Sequence, residues 1–191
     1  MGLILFNASW MIYNISLAVI GIFFGFLMLK VKPLFLKTIF GLIWLLFIPN
    51  SIYMLTDIIH LYRDLMKVTF FYQVLLTTEY FLLMIIAIIT FILSLIFLEL
   101  TLQQKKFRKY ITGSTKSVLF FILNFVVAFG LVLGRMQRLN SWDIVTNLPN
   151  VYKNAIHVLT NFQLLMLTLF FGFLCNIVYF SYHYFIKKFS K

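Results

Sequence analysis

Long apolar runs separated by short basic connections make up most of the sequence. A helix that crosses a membrane needs about 20 mostly apolar residues, and five runs approach or exceed that length. The predicted spans cover Trp10 to Leu29, about Thr38 to Ile59, about Phe71 to Leu100, Val118 to Leu133 and about Val158 to Ile186. We therefore predict an all-α fold, a polytopic bundle of about five transmembrane helices that forms one integral membrane domain over residues 1–191.

Several details inside these runs predict local structure. The first run is longer than the 7–15 apolar residues typical of a signal peptide, and no basic region precedes it, so we predict a retained span. Pro49 lies inside the second run and predicts a kink there. Two pairs of small residues, Gly21 with Gly25 and Gly130 with Gly134, have the spacing that lets membrane helices approach closely.

Composition supports the membrane interpretation. Hydrophobic residues make up 63% of the chain and charged residues 11%, against roughly 45–50% and 25% in soluble domains. Cys175 is the single cysteine, so neither an intrachain disulfide nor a cysteine-based zinc site is possible. The formal net charge is +11, but the basic residues lie between the apolar runs, which is typical of juxtamembrane lysines. We therefore expect the lipid bilayer as the partner and no nucleic acid.

The distribution of lysine and arginine predicts the orientation. The first, third and last connections hold eleven of them: Lys30, Lys32, Lys37, Lys105, Lys106, Arg108, Lys109, Lys116, Lys187, Lys188 and Lys191. The other side holds five: Arg63, Lys67, Arg135, Arg138 and Lys153. Basic residues favour the cytoplasmic side, so we predict the N-terminus outside and the C-terminus in the cytoplasm.

A first polar segment follows Pro49 on the predicted outer side. Asn50, Tyr53, Asp57 and His60 fall at i, i+3, i+7 and i+10, and share one face of a helix. Such a stripe is typical of a helix that has lipid or packed protein on one side and a wet cavity on the other.

A second polar segment follows the fourth run on the same side. Arg135 and Arg138 are three residues apart and can face the same way. Asn140, with Asp143 three residues later, is typical of a helix N-cap, and predicts a short interfacial helix from Ser141 to about Asn147, before Pro149. We expect Trp142 to lie at the level of the lipid headgroups.

These two segments, PNSIYMLTDIIHL and GRMQRLNSWD, resemble the signature stretches of a bacterial membrane-protein family catalogued as domain of unknown function 1361. The matching positions are Pro49, Asn50, Tyr53, Thr56, Asp57, His60, Leu61, Gly134, Arg135, Arg138, Asn140, Ser141, Trp142 and Asp143. The family often has tryptophan where this chain has Leu139. The resemblance implies a bacterial plasma-membrane protein and brings no activity with it.

Both segments have alternative interpretations. Asp57 and His60 are candidates for an acid–base pair or proton relay, or for metal ligands together with Asp143. Arg135 and Arg138 have the chemistry to clamp a phosphate or carboxylate, such as a lipid headgroup. The structural alternative is a network in which the two arginines pair with Asp57 and Asp143. The sequence identifies no cofactor, and we expect no metal.

Two further positions carry polar side chains within the apolar runs. Glu79 lies about 12 Å inside the third run, where a charge is costly unless it is paired or wet, so we include it among the binding candidates. Asn124 and Asn176 lie at similar predicted depths, and a side-chain amide in hydrocarbon seeks a partner. We predict that these two asparagines meet.

The sequence favours a protein that binds or assists at a polar site on the outer membrane boundary. We expect Asp57, His60, Arg135, Arg138 and Asp143 in mutual contact there. One alternative is a membrane enzyme that acts on a lipid-linked or phosphate-bearing substrate; no HExxH, GxSxG or P-loop signature supports it. The other is a small transporter or ion-coupled carrier, for which the predicted cytoplasmic half offers only Glu99 as an acid.

A reporter enzyme that is active only outside the cytoplasm, fused after Lys191, tests the orientation. We expect the fusion to be inactive, because basic residues concentrate on the side that contains the C-terminus. Activity of this fusion would contradict the predicted topology.

Overall fold

The computed structural model describes residues 2–108 and 113–189. Lys109 and Lys191, which entered the charge count, lie outside the described residues. All regular structure in the described part is helical. The helices are α1 (Gly2–Lys30), α2 (Leu34–Phe47), α3 (Pro49–Thr56), α4 (Ile58–Leu65), α5 (Phe70–Leu102), α6 (Lys105–Arg108), α7 (Gly113–Gln137), α8 (Asp143–Thr146), α9 (Leu148–Thr160) and α10 (Phe162–Phe189).

Five helical stretches in the described part are long and apolar enough to cross a membrane. They cover Ile4–Lys30, Leu34–Leu65, Phe70–Leu102, Gly113–Gln137 and Phe162–Phe189. The predicted all-α bundle with five spans is confirmed. The chain runs back and forth, so the start of α1, the α4–α5 turn and the α7–α10 connection share one end, which we call the N-terminal end.

The second span consists of three consecutive helices. It is interrupted at Ile48, directly before Pro49, and again at Asp57, although both residues keep helical backbone angles. Pro49 lacks an N–H and its ring crowds the preceding turn, so it occupies the first position of α3. The boundary between α2 and α3 lies at the position where Pro49 predicts a kink, and the span continues to Leu65 instead of ending near Ile59.

The limits of the fourth and fifth spans differ from the predicted ones. Helix α7 continues through Arg135 to Gln137, and the chain turns at Arg138, whose φ is 55°. The fifth span begins at Phe162, because the backbone of Asn161 is extended and its side chain caps α10 by accepting from the N–H groups of Gln163 and Leu164. The predicted start near Val158 is therefore wrong.

The connection between α7 and α10 contains two helices in place of the one predicted. The interfacial helix expected from Ser141 to Asn147 is reduced to the four residues of α8. The longer α9 follows it, and Pro149 lies in its first turn, where the missing N–H has no helical partner to lose.

Close helix approach occurs at three of the four glycines in the predicted pairs. A Cβ on Gly21 would lie 3.4 Å from Phe47, and one on Gly25 would lie 3.0 Å from Trp44, so α1 packs closely on α2. A Cβ on Gly130 would lie 2.7 Å from the Pro49 ring, which brings α7 against α3. A Cβ on Gly134 would come near only the carbonyl oxygen of Leu139, at 3.6 Å, so no close approach to another helix occurs there among the described residues.

At the opposite end of the bundle, Glu99 joins three spans. Its carboxylate pairs with Lys116 of α7 and with His183 of α10, whose Nε2 lies 3.0 Å away. Tyr179 of α10 also donates to it at 3.4 Å. Glu99, the one acid predicted in the cytoplasmic half, therefore forms ion pairs and a hydrogen bond that hold helices together.

Asn124 and Asn176 meet in the middle of the α7–α10 contact. The amide of Asn124 donates to Oδ1 of Asn176 at 3.0 Å, and both side chains are buried. Asn176 donates in turn to the carbonyl of Gly172 at 2.9 Å, within its own helix. The predicted contact is confirmed.

A double-mutant cycle with Asn124→Ala and Asn176→Ala measures this interaction. We expect a coupling energy of about 0.6 kcal/mol, because amide pairs inside membranes gain little over their alternatives. Thermal unfolding of the four proteins in detergent supplies the values, with Ser117→Ala on an exposed position of α7 as the control. A coupling energy of zero would contradict the expected stabilisation.

Candidate functional site

Asp57 is a buried carboxylate between three spans. Only 2% of its side chain is exposed. One oxygen accepts a hydrogen bond from Arg135 of α7 at 2.7 Å, and the other accepts from Asn14 of α1 at 3.2 Å. Asp57 lies where α3 ends and α4 begins, so this ion pair links the interrupted second span to both neighbouring helices.

Arg135 connects most of the polar stripe. Besides Asp57, its guanidinium reaches Nε2 of His60 at 3.0 Å and the carbonyl of Thr56 at 3.4 Å. Its Cζ lies 4.9 Å from the centre of the Tyr53 ring. The structure therefore brings Tyr53, Asp57, His60 and Arg135 together, and it does so through the last turn of α7.

Both ring nitrogens of His60 face a guanidinium. Nε2 lies 3.0 Å from Arg135, and Nδ1 lies 3.3 Å from Arg63 on the next turn of α4. The structure shows no hydrogen bond between the side chains of His60 and Asp57, because Arg135 bonds to both.

Asp64 is a buried acid that the sequence interpretation left out. It is 3% exposed. It accepts hydrogen bonds from Asn7 at 3.2 Å and from the hydroxyl of Tyr80 at 3.1 Å. The sequence contains a signal for these pairs. Asn7 and Asn14 are seven residues apart, and so are Asp57 and Asp64, so two antiparallel helices can pair Asn7 with Asp64 and Asn14 with Asp57.

A cavity of about 360 Å³ opens beside these groups at the N-terminal end. Arg63 and Lys67 lie at its rim, with 65% and 53% of their side chains exposed, and both face Asp64 at 3.8 and 3.5 Å. We call this the polar cavity. It is lined by Phe6, Asn7, Trp10, Asn14, Tyr53, Asp57, His60, Arg63, Asp64, Lys67, Tyr80 and Arg135.

A second space of about 220 Å³, which we call the apolar groove, lies between α2–α3 and α7. Tyr53 lines both spaces and separates them. The groove is lined by Leu45, Leu46, Pro49, Asn50, Tyr53, Val126, Phe129, Gly130, Leu131, Leu133, Gly134, Leu139, Asn140, Ser141, Ile144 and Val151.

Beyond Arg135, the second polar segment lies against the apolar groove and does not line the polar cavity. Ser141 accepts from the amide of Asn50 at 3.2 Å and donates to the carbonyl of Leu46 at 2.8 Å. Asn140 lines the groove. The indole of Trp142 is partly exposed, at 41%.

Arg138 and Asp143 do not join the ion-pair network, so the expected contact among five charged residues is wrong for these two. Asp143 accepts from the backbone N–H of Asn140, within its own loop, at 2.6 Å. The side chain of Arg138 is exposed. The reason is the length of α7: it extends past Arg135, and the turn at Arg138 directs the following residues toward the groove.

Two other candidates lie apart from the network. Glu79 on α5 lines neither the polar cavity nor the apolar groove. One of its oxygens is buried without a hydrogen-bond partner among the described residues. Metal binding by Asp57, His60 and Asp143 is unsupported, since no group of three His, Cys, Asp or Glu side chains in the described part is placed to hold an ion.

The five apolar helical stretches, with a charged network held among them at one end, define a multi-pass helical membrane protein. Residues 13–178 match the family described as Protein of unknown function (DUF1361), so the chain belongs to that family. No curated protein and no solved structure matches the chain.

Replacing Asp57 separates its structural role from the role of His60. We expect Asp57→Ala to lower the free energy of unfolding by about 3 kcal/mol, since it leaves a partly buried guanidinium without its carboxylate. We expect His60→Ala to cost less, about 1.5 kcal/mol, because the ring is partly exposed, and its removal loses a hydrogen bond from a guanidinium but leaves no charge without its counter-ion. Unfolding in detergent, followed by circular dichroism, provides both values.

The double variant Asp57→Ala with Arg135→Met is the matched control for this comparison. It removes both charges, so we expect it to be more stable than Asp57→Ala alone. Equal losses from Asp57→Ala and His60→Ala would contradict the central role of the ion pair.

Proposed function

We propose that this protein binds an anionic group in the polar cavity, at the outer boundary of a bacterial plasma membrane. The location follows the excess of basic residues on the opposite side and the family resemblance. The proposed activity is binding, and the following contacts support it.

The two guanidinium groups on His60 are the observation that carries the proposal. A neutral imidazole has one acceptor nitrogen and one N–H. It therefore accepts from either Arg63 or Arg135, and its N–H points at the other guanidinium. On that side of the ring two hydrogen-bond donors, the imidazole N–H and the guanidinium, face each other without an acceptor between them. An oxygen of a phosphate or carboxylate placed there would accept from both donors.

The acids of the cavity already have partners. Asp57 accepts from Arg135 and Asn14, and Asp64 accepts from Asn7 and Tyr80. These bonds leave the exposed Arg63 and Lys67 with donors for a ligand. The lining contains three basic residues, Arg63, Lys67 and Arg135, and two acids, so its formal net charge favours an anion.

An apolar layer lies between the polar cavity and the other end of the bundle. Ala18, Met54, Leu83 and Ala87 are packed there, one to two helical turns beyond Asn14, Asp57 and Tyr80. This layer favours binding over a transport path. The enzyme alternative is weakened because Asp57 bonds to Arg135 and not to His60.

Thermal unfolding in detergent with inorganic phosphate as the probe tests the proposal. At a phosphate concentration of ten times Kd, we expect wild-type stability to rise by about 1.4 kcal/mol. We expect Arg63→Gln with Lys67→Gln to abolish the rise, because these two exposed cations provide the charge and the further N–H donors at the cavity rim.

Lys153→Gln, which removes a cation from α9 outside the cavity, is the matched control and should keep the full effect. All samples have the same ionic strength, set with chloride. A wild-type protein that phosphate does not stabilise would refute the proposal, as would equal responses of the rim variant and the control.

A further inference from the structure

The apolar groove opens sideways from the bundle, toward the hydrocarbon of the membrane. Val126 lines it from within the fourth span, and 44% of this residue is exposed. From Val126 to Gly134 the groove follows eight residues of α7, which correspond to about 12 Å along the helix axis. It therefore extends into the depth at which lipid chains lie.

The groove and the polar cavity lie on either side of one residue, Tyr53, which lines both. Tyr53 forms the wall between them, and Gly134 of the groove directly precedes Arg135 of the cavity in α7. A ligand that fills both spaces must be polar and anionic at one end and apolar at the other, with its two parts joined beside Tyr53.

We propose that the anion in the polar cavity is the phosphate headgroup of a membrane lipid, one of whose hydrocarbon chains lies in the apolar groove. This inference rests on the proposed binding of an anion, and it adds the chemical class of the ligand. The phosphate lies near His60, Arg63 and Lys67, and the chain passes Tyr53 and follows α7 toward Val126.

A lipid chain fits this groove better than a peptide does. A peptide entering at Val126 would bring backbone N–H and C=O groups into hydrocarbon, and each group without a partner there costs several kcal/mol. A hydrocarbon chain carries no such groups. Ile144 of α8 and Val151 of α9 complete the apolar lining where the connection crosses the groove.

Native mass spectrometry of the detergent-purified protein, incubated with dioleoylphosphatidylglycerol, tests this inference. We expect wild-type protein to retain one such lipid, and to retain dioleoylphosphatidylcholine less, because its choline carries a positive charge into a cationic cavity. Val126→Trp fills the groove. We expect it to lower retention of the anionic lipid about tenfold, the loss expected when roughly two methylenes are left outside.

Ile122→Trp is the matched control, since Ile122 lies one turn earlier on α7, is 56% exposed and does not line the groove. It should retain the lipid as wild-type does. Equal retention by Val126→Trp and Ile122→Trp, with phosphate stabilisation intact in both, would overturn the lipid assignment alone. If phosphate does not stabilise the wild-type protein, the proposed function itself is overturned.

Discussion

The ion pair between Asp57 and Arg135 is buried among three of the apolar spans. An unpaired charge at such a depth is expensive, so each partner requires the other, and both require polar neighbours. Asn14 satisfies the second oxygen of Asp57, and Tyr53 covers the guanidinium. Three spans must therefore adopt one mutual arrangement before the pair forms. The position of the interrupted second span, and with it the division of the N-terminal end into two spaces, depends on this contact.

The charged end is matched by a second cluster at the opposite end. Glu99 there holds α7 and α10 to α5 through Lys116, His183 and Tyr179. Between the two ends the core of the described residues is mainly apolar, and two buried hydrogen bonds cross it: the one between Asn124 and Asn176, and the one that the indole of Trp44 donates to Ser94 at 2.7 Å. Polar interactions thus fix the ends of the helices and close packing fills the middle, an arrangement suited to a solvent that gives no hydrophobic drive between helices.

Apolar run length determined most of what could be predicted here. Five spans, the interruption at Pro49 and the pairing of Asn124 with Asn176 all follow from length, backbone chemistry and depth along the chain. The site was predictable only in part, because depth does not specify rotation. Five charged residues were expected to meet. In the structure Arg135 contacts both Asp57 and His60, whereas one extra turn of α7 separates Arg138 and Asp143 from them. The role of Asp64 was not predicted, because its partners Asn7 and Tyr80 lie on α1 and α5, and only a comparison between spans indicates that they are close.

One aromatic residue of the polar cavity has a practical consequence. The indole of Trp10 lies 6.4 Å from the His60 ring and 6.1 Å from the Tyr80 ring, and its N–H donates to Asn7. The fluorescence of an indole depends on the polarity and mobility of its surroundings, so the fluorescence of Trp10 is expected to change when a ligand enters the polar cavity. Trp44 is sealed in the core and Trp142 lies on the α7–α8 connection. Neither of them lines the polar cavity, so a change in emission that accompanies the filling of the cavity is expected to come from Trp10, without any label.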